Sequence, residues 1–274
     1  MSEFAASTSP CPKIIELIRD RTDKWISLEF FPPKTEAGVN KLNELISNLK
    51  AVCSKSNPDY PMFVDVTWGA GGSTADLTFD LCVKAKQNFG VNPNMHLTCT
   101  NMDAAMVDKA LKDCRDTGIT NIVALRGDPP VGQEKWTVTE GGFTCALDLV
   151  RHIRQLYSDY FCLSVSGYPE GHPNSFTTLT SPEAKSSLTL SEQCRCSVEK
   201  TEDGTEVIYV CRDEDYQKEL NYLKEKVEAG ADCIITQMFF DVNVYEVFVQ
   251  DCRKMNITVP IIPGIMCVAS YGGV

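Results

Sequence analysis

Apolar positions along this chain follow two alternating periods. Seven short runs are dominated by apolar side chains: "SLEFF" (27–31), "MFVDVTW" (62–68), "NMHLTCT" (94–100), "NIVALRG" (121–127), "FCLSVSGY" (161–168), "CIITQMFF" (233–240) and "PIIPGI" (260–265). Most are rich in β-branched or aromatic residues and short, which predicts strands. Between them the period becomes helical. Val39, Leu42, Leu45, Ile46 and Leu49 share one stripe; Ala146, Leu149, Val150, Ile153 and Leu156 share another; Leu220, Leu223 and Val227 form a third, with Gly230 placed to cap it. Residues 1–23 read as a tail and first helix, and residues 24–274 as one continuing domain. Near-continuous apolar strands alternating with amphipathic helices predict the α/β class, a parallel sheet with helices outside.

Two parallel architectures compete, an open doubly wound sheet and a closed barrel. No G-x-G-x-x-G or P-loop follows any run, which weakens the nucleotide-fold reading. Chemically capable residues instead stand at or just past the ends of many runs: Glu29, Thr67, His96, Arg126, Asp128, Tyr168 and Gln237. That spread suits a (β/α)8 TIM barrel, whose site is assembled from all the strand C-termini. Two features depart from a plain barrel. Residues 174–215 are too long for an ordinary connection. Their first half is Ser/Thr-rich and reads as mobile, whereas Asp203-Gly204, between two strand-like runs, predicts a hairpin. We expect a passive insertion on the active-site face rather than a phosphorylation target. The second departure is the end: "IMCVASYGGV" follows the seventh run directly, so the expected barrel is incomplete, lacking its eighth strand and last helices. Its unpaired edges would invite a second copy of the chain.

Glu29 raises the sharpest chemical question. A carboxylate between Leu28 and Phe30 is costly unless it is paired, protonated or facing a cavity. It is either the wet face of an edge strand or an acid whose pKa is raised by its surroundings. Composition narrows the partners. A formal net charge of −11 argues against broad binding to nucleic acid or anionic membranes. No stretch approaches the roughly 18 apolar residues of a membrane span, and the N-terminus lacks the pattern of a secretory signal. The 13 cysteines are scattered without a C-x-x-C, which fits small buried hydrophobes in a reducing, cytoplasmic setting. The three histidines lie at no ligand spacing, so no metal site is expected.

"SLEFFPPK", "VDVTWGAGG", "HLTCTNM", "ALRGDPP", "GYPEGHP" and "ITQMFFD", in this order, resemble the methylenetetrahydrofolate reductases, most closely the catalytic domain of the eukaryotic type. The likeness runs from about Lys24 to the last residue, interrupted by the 174–215 insertion. It implies a barrel that binds FAD at the strand C-termini and reduces 5,10-methylenetetrahydrofolate to 5-methyltetrahydrofolate by a ping-pong mechanism. The electrons come from NADPH or NADH. Glu29 matches the family's general acid, which helps the methylene bridge open to an iminium. In this reading it faces the barrel mouth, and its aromatic neighbours help keep it protonated. Arg126, Gly127 and Asp128 match the Arg-Gly-Asp that contacts the flavin and, through the aspartate, the folate. Thr67, Trp68, Ala70 and His96 match flavin-lining positions, and Cys145 and Ala146 match a helix start beside the cofactor. Tyr168 and His172 match the aromatic and histidine of the "YPEGHP" loop. Lys226 matches a lysine near the cofactor, while Glu219 stands where an aspartate is usual. Gln237 matches the glutamine that touches folate and nicotinamide in turn.

The tyrosine–leucine–asparagine–arginine stretch that helps hold folate in the family, and the regulatory domain of eukaryotic members, would lie past Val274. An inactive truncated fragment with residual flavin binding or a co-assembly role is therefore the alternative reading. A Schiff-base aldolase ranks last, because no run ends in lysine.

Overall fold

In a computed structural model, the structure is described for residues 8–19, 21–53, 62–68, 75–129, 132–133, 135–180, 186–201 and 204–267. The chain divides into two compact units. One holds the residues up to Val165 together with Ala229–Asp232, the other Ser166–Glu228 and the residues from Cys233 on.

The first unit opens with helix α1 (Ile14–Arg19) and then alternates strand and helix: β1 (Leu28–Phe30), α2 (Glu36–Cys53), β2 (Val64–Val66), α3 (Ala75–Gln87), β3 (Pro93–Thr98), α4 (Ala104–Thr117), β4 (Asn121–Leu125), α5 (Ala146–Tyr157) and β5 (Cys162–Gly167). The strands pair in parallel and in sequence order, with Glu29 opposite Asp65, Asp65 opposite Asn94, and Asn94 opposite Asn121. Local chemistry sets the helix ends. Asp103 caps α4 by accepting from the Met106 N–H at 2.8 Å, and Gly118 ends it in the left-handed region at φ 70°. The apolar stripes bury as their period requires, with Leu42 and Ile46 on α2 and Leu149, Val150 and Ile153 on α5. Leu45 and Leu156, assigned to those stripes from periodicity, remain about half exposed at 46% and 50%. They mark the rims where the stripe meets solvent.

The strands themselves correct the apolar reading. Val64, Val66, Met95, Leu97, Ile122, Ala124, Leu163 and Val165 alternate with Asp65, Asn94, His96, Thr98, Asn121 and Ser164. One sheet face is therefore hydrophobic. The other is lined with polar groups, most of them buried.

The second unit contains the insertion. Strand β6 (Phe176–Leu179), helix α6 (Leu190–Cys194) and strands β7 (Cys196–Lys200) and β8 (Glu206–Cys211) precede α7 (Asp213–Glu228), β9 (Cys233–Thr236), α8 (Val242–Lys254) and β10 (Ile261–Ile262). The expected hairpin is present as the antiparallel β7–β8 pair, with Gly204 at φ 83° in its turn; Asp203 lies outside the described residues. The Ser/Thr-rich half holds more order than expected, because β6 adds to β8 as a third antiparallel strand. Helix α6 starts on a full capping box, Thr189 with Glu192. Nor is the insertion loosely attached. Buried Glu192 accepts from the Asp213 N–H at 3.1 Å and pairs with Arg212 at 3.0 Å. Buried Arg195 pairs with Asp213 and lies 4.0 Å from the centre of the Tyr216 ring. These contacts fix the insertion to the start of α7, which begins at Asp213.

Strand β5 bridges the division, its last two residues belonging to the second unit, where β9 and β10 pair in parallel. The parallel order is β1-β2-β3-β4-β5-β9-β10. Strand order equal to chain order, with helical connections, is the arrangement of an incomplete (β/α)8 barrel. Among the described residues no helix is long and apolar enough to cross a membrane.

Candidate functional site

On the polar face of the first unit, three neighbouring strands bring three titratable groups together. Glu29 stands on β1, Asp65 opposite it on β2, and His96 on β3 two residues beyond Asn94. Asp65 is buried, with its Oδ1 accepting from Asn94 Nδ2 at 2.7 Å and lying 3.4 Å from His96 Nε2. Glu29 keeps an exposed surface, yet its carboxyl pKa is pushed above the ordinary glutamate value. Loss of hydration is the main cause; His96 opposes it and Asp65 reinforces it. The flanking aromatics do not enclose this carboxyl. Phe30 alternates to the other sheet face, and Phe31 is 76% exposed.

The Arg-Gly-Asp segment follows β4 and is shaped by a threonine that sequence reasoning did not single out. Thr100 Oγ1 lies 3.1 Å from the carbonyl of Arg126 and 3.0 Å from that of Asp128, and it accepts from Trp136 Nε1 at 2.8 Å. Gly127 has φ 87°, and a Cβ there would meet Thr100 Oγ1 at 2.6 Å and Thr98 Cβ at 2.9 Å. Only glycine meets both demands, the left-handed backbone and the close approach. The Arg126 guanidinium lies 5.5 Å from the centre of the Trp136 ring, and its Nε donates to the Gly127 carbonyl at 3.5 Å. Nearby, Cys145 is the N-cap of α5 and makes no side-chain capping bond, so Ala146 opens a helix end whose N–H groups are not closed off by that thiol. The Cys99 thiol approaches the carbonyls of Leu125 at 3.4 Å and Cys145 at 3.6 Å, and burial pushes its pKa up to about 12. It stays protonated and links the end of β4 to the start of α5.

Thr67 and Trp68 follow β2 and are both buried. Ala70 lies outside the described residues. Two buried polar atoms in this set make no hydrogen bond among the described residues: Trp68 Nε1 and His96 Nε2. Buried donors and acceptors are nearly always satisfied, so such orphans are candidates to meet a ligand's polar atoms.

The second unit carries the remaining predicted residues. The rings of Tyr168 and His172 lie 4.7 Å apart, and His172 Nδ1 accepts from the Asn174 N–H. Lys226 is buried, donates to the Ser166 carbonyl at 2.8 Å and lies 4.9 Å from the centre of the Tyr222 ring. Glu219 accepts from Ser175 Oγ at 2.9 Å. Tyr168, Glu219 and Lys226 line one narrow cleft with Ser166, Leu220 and Phe248. Gln237 is exposed just past β9, held through its backbone N–H to the Gly167 carbonyl at 2.7 Å.

Asp65, Asn94, Thr98, Thr100 and Trp136 are the residues missed from sequence. Four of them sit inside runs whose apolar neighbours dominated the reading. Their two-residue spacing with Glu29-like polar positions was the available signal. Among the described residues no group of three or more His, Cys, Asp or Glu could hold a metal ion.

The family description "Methylenetetrahydrofolate reductase" matches residues 13–274. Methylenetetrahydrofolate reductase (NADH) 1 of Arabidopsis thaliana is 44% identical over 95% of this chain and 38% of its own length. Methylenetetrahydrofolate reductase 1 of Schizosaccharomyces pombe is 42% identical over 89% of this chain and 33% of its own. The probable methylenetetrahydrofolate reductase (NADPH) of Caenorhabditis elegans is 33% identical over 95% and 34%. This chain thus spans about a third of the length of these relatives. A solved Clostridium thermocellum protein that binds two copies of 5-methyl-5,6,7,8-tetrahydrofolic acid aligns at a TM-score of 0.45 and 13% identity, over 90% of this chain and 68% of its own. With a family match reaching from the first helix to the last residue, the chain belongs to the methylenetetrahydrofolate reductase family.

Proposed function

We propose that this chain binds FAD and reduces 5,10-methylenetetrahydrofolate to 5-methyltetrahydrofolate at the expense of NADH or NADPH, the nicotinamide nucleotide and the folate alternating in ping-pong order. The observation that carries the reading is the Glu29 carboxyl, pushed toward its neutral form, on the same sheet face as the orphaned His96 Nε2. The first unit's residues fit a flavin. Trp68 and His96 leave buried polar atoms without hydrogen bonds, and Gly127 keeps its backbone free of any Cβ. Thr67, Trp68, Ala70, His96, Arg126, Gly127, Asp128, Cys145 and Ala146 would hold the cofactor from this unit, Arg126 by its charge and α5 by its open N-terminus. The same resemblance assigns Tyr168, His172, Glu219 and Lys226 to it. When bound, FAD supplies the hydride carrier between nicotinamide and folate.

The protein's own residues supply the acid and the charge. Protonated Glu29 donates to the folate nitrogen as its bond to the methylene carbon breaks, leaving a cationic iminium that can accept hydride. Asp128, exposed after the Gly127 turn, offers a negative charge to that cation. Gln237 would hydrogen-bond folate or nicotinamide through its amide. In the chain loaded with FAD, Glu29→Gln should lower the rate of folate reduction by about 10²–10⁴-fold and leave nicotinamide oxidation intact. Undiminished folate reduction by the Gln variant would sink the acid role.

A further inference from the structure

Asp65 has no role in the reading above, yet it is the best-held ionisable group on the polar face. Its side chain is only 6% exposed, and it stands in direct register between Glu29 on β1 and Asn94 on β3. A carboxylate this deep is costly unless something compensates it. Two groups do. Asn94, fully buried, donates at 2.7 Å and fixes one oxygen, and His96 Nε2 stands 3.4 Å from that same oxygen. The imidazole is not hydrogen-bonded to it, so the contact is one of charge and position rather than a closed pair.

We propose that Asp65 is a positioning residue for the reaction: held by Asn94, it places the His96 ring and offsets the charge that ring carries whenever it is protonated, so that Glu29 keeps the proton it must deliver. The inference rests on the general-acid reading of Glu29. Its logic is local. Among the described residues, the charged groups acting on the Glu29 carboxyl are His96 from β3 and Asp65 from β2. A lone imidazolium beside Glu29 would draw off its proton, because an opposite charge favours the ionised carboxylate. A carboxylate on the neighbouring strand does the reverse. With both present, any charge the imidazole carries is balanced at Nε2 by the Asp65 carboxylate 3.4 Å away.

The sign follows. An acid catalyst works below its pKa and fails as pH rises through it, so each unit of downward shift costs about tenfold in protonated acid on the alkaline side. The test is carbon-13 NMR of the full chain labelled at glutamate Cδ. The Glu29 signal is assigned by its loss in Glu29→Gln and titrated in native, Asp65→Asn and His96→Gln chains. Asp65→Asn should move the Glu29 midpoint down, and His96→Gln should move it up. In the FAD-loaded chain, the alkaline limb of folate reduction should move down with Asp65→Asn. A merely structural Asp65 would lower the melting temperature and leave the midpoint where it was, and that result overturns the proposal. Should Asp65→Asn fail to fold, His96→Gln decides: a midpoint that stays or falls contradicts the charge balance. The titration needs neither folate nor flavin, so its failure is distinct from a failure of the acid role, which Glu29→Gln reads by rate.

Discussion

The strand ends of the first unit and the insertion of the second both bury charged and polar side chains, and they treat them in opposite ways. In the insertion the buried groups close on one another. Glu192 caps its own helix, accepts from the Asp213 N–H and pairs with Arg212, while Arg195 takes Asp213 at one end and the Tyr216 face below. Among the described residues there, only the Arg195 Nε is left over. In the first unit, Trp68 Nε1, Asn94 Oδ1 and His96 Nε2 are buried without a hydrogen bond among the described residues, in the unit that holds a glutamate whose ionisation is opposed. Closed networks hold a fold together. Open ones, which cost stability in the empty protein, point to a ligand.

Breaking the closed network should cost stability and nothing else. Glu192→Ala leaves the Asp213 N–H and Arg212 without their acceptor and removes half of a capping box. It should destabilise the second unit by about 2 kcal/mol, read as a lower urea midpoint. Flavin absorbance at saturating FAD should not change. Loss of flavin in step with stability would erase the distinction between the two regions.

A milder change sharpens the comparison from the other side. Thr100→Val removes the hydroxyl that meets the carbonyls of Arg126 and Asp128 and accepts from Trp136, while keeping the volume. FAD affinity should fall by about tenfold, equal to about 1.4 kcal/mol, with a comparable loss of stability. Absorbance titration beside a melting curve measures both. Unchanged FAD affinity would make Thr100 a support for the loop alone.

Periodicity carried the parallel α/β order because apolar alternation and helical stripes are set by packing, and packing is written in residue type. It did not carry the polar sheet face. Asp65 and Asn94 each sit between strongly apolar neighbours, so "MFVDV" and "NMHL" read as buried strands whichever way they face. Which face meets helices and which meets a cavity is decided by the register between strands, and one strand at a time does not contain it. The insertion misled for a related reason. "SFTTL" is too short and polar to announce a strand, and it becomes one only because β8 offers an edge. Glu29 was recognised through the motif around it. Its raised pKa is not written in that motif: loss of hydration is the main cause, and the charged groups that modulate it, His96 and Asp65, lie across the sheet.

On the proposed function, the unpartnered buried polar groups of the first unit belong to a flavin. An absorbance spectrum of this chain after incubation with FAD and gel filtration tests it most directly, with Trp68→Phe alongside. Flavin bands should travel with the native chain in stoichiometric amount, with a weaker hold in the Phe variant, which lacks the indole N–H. A native chain that is folded by circular dichroism yet emerges colourless would contradict it.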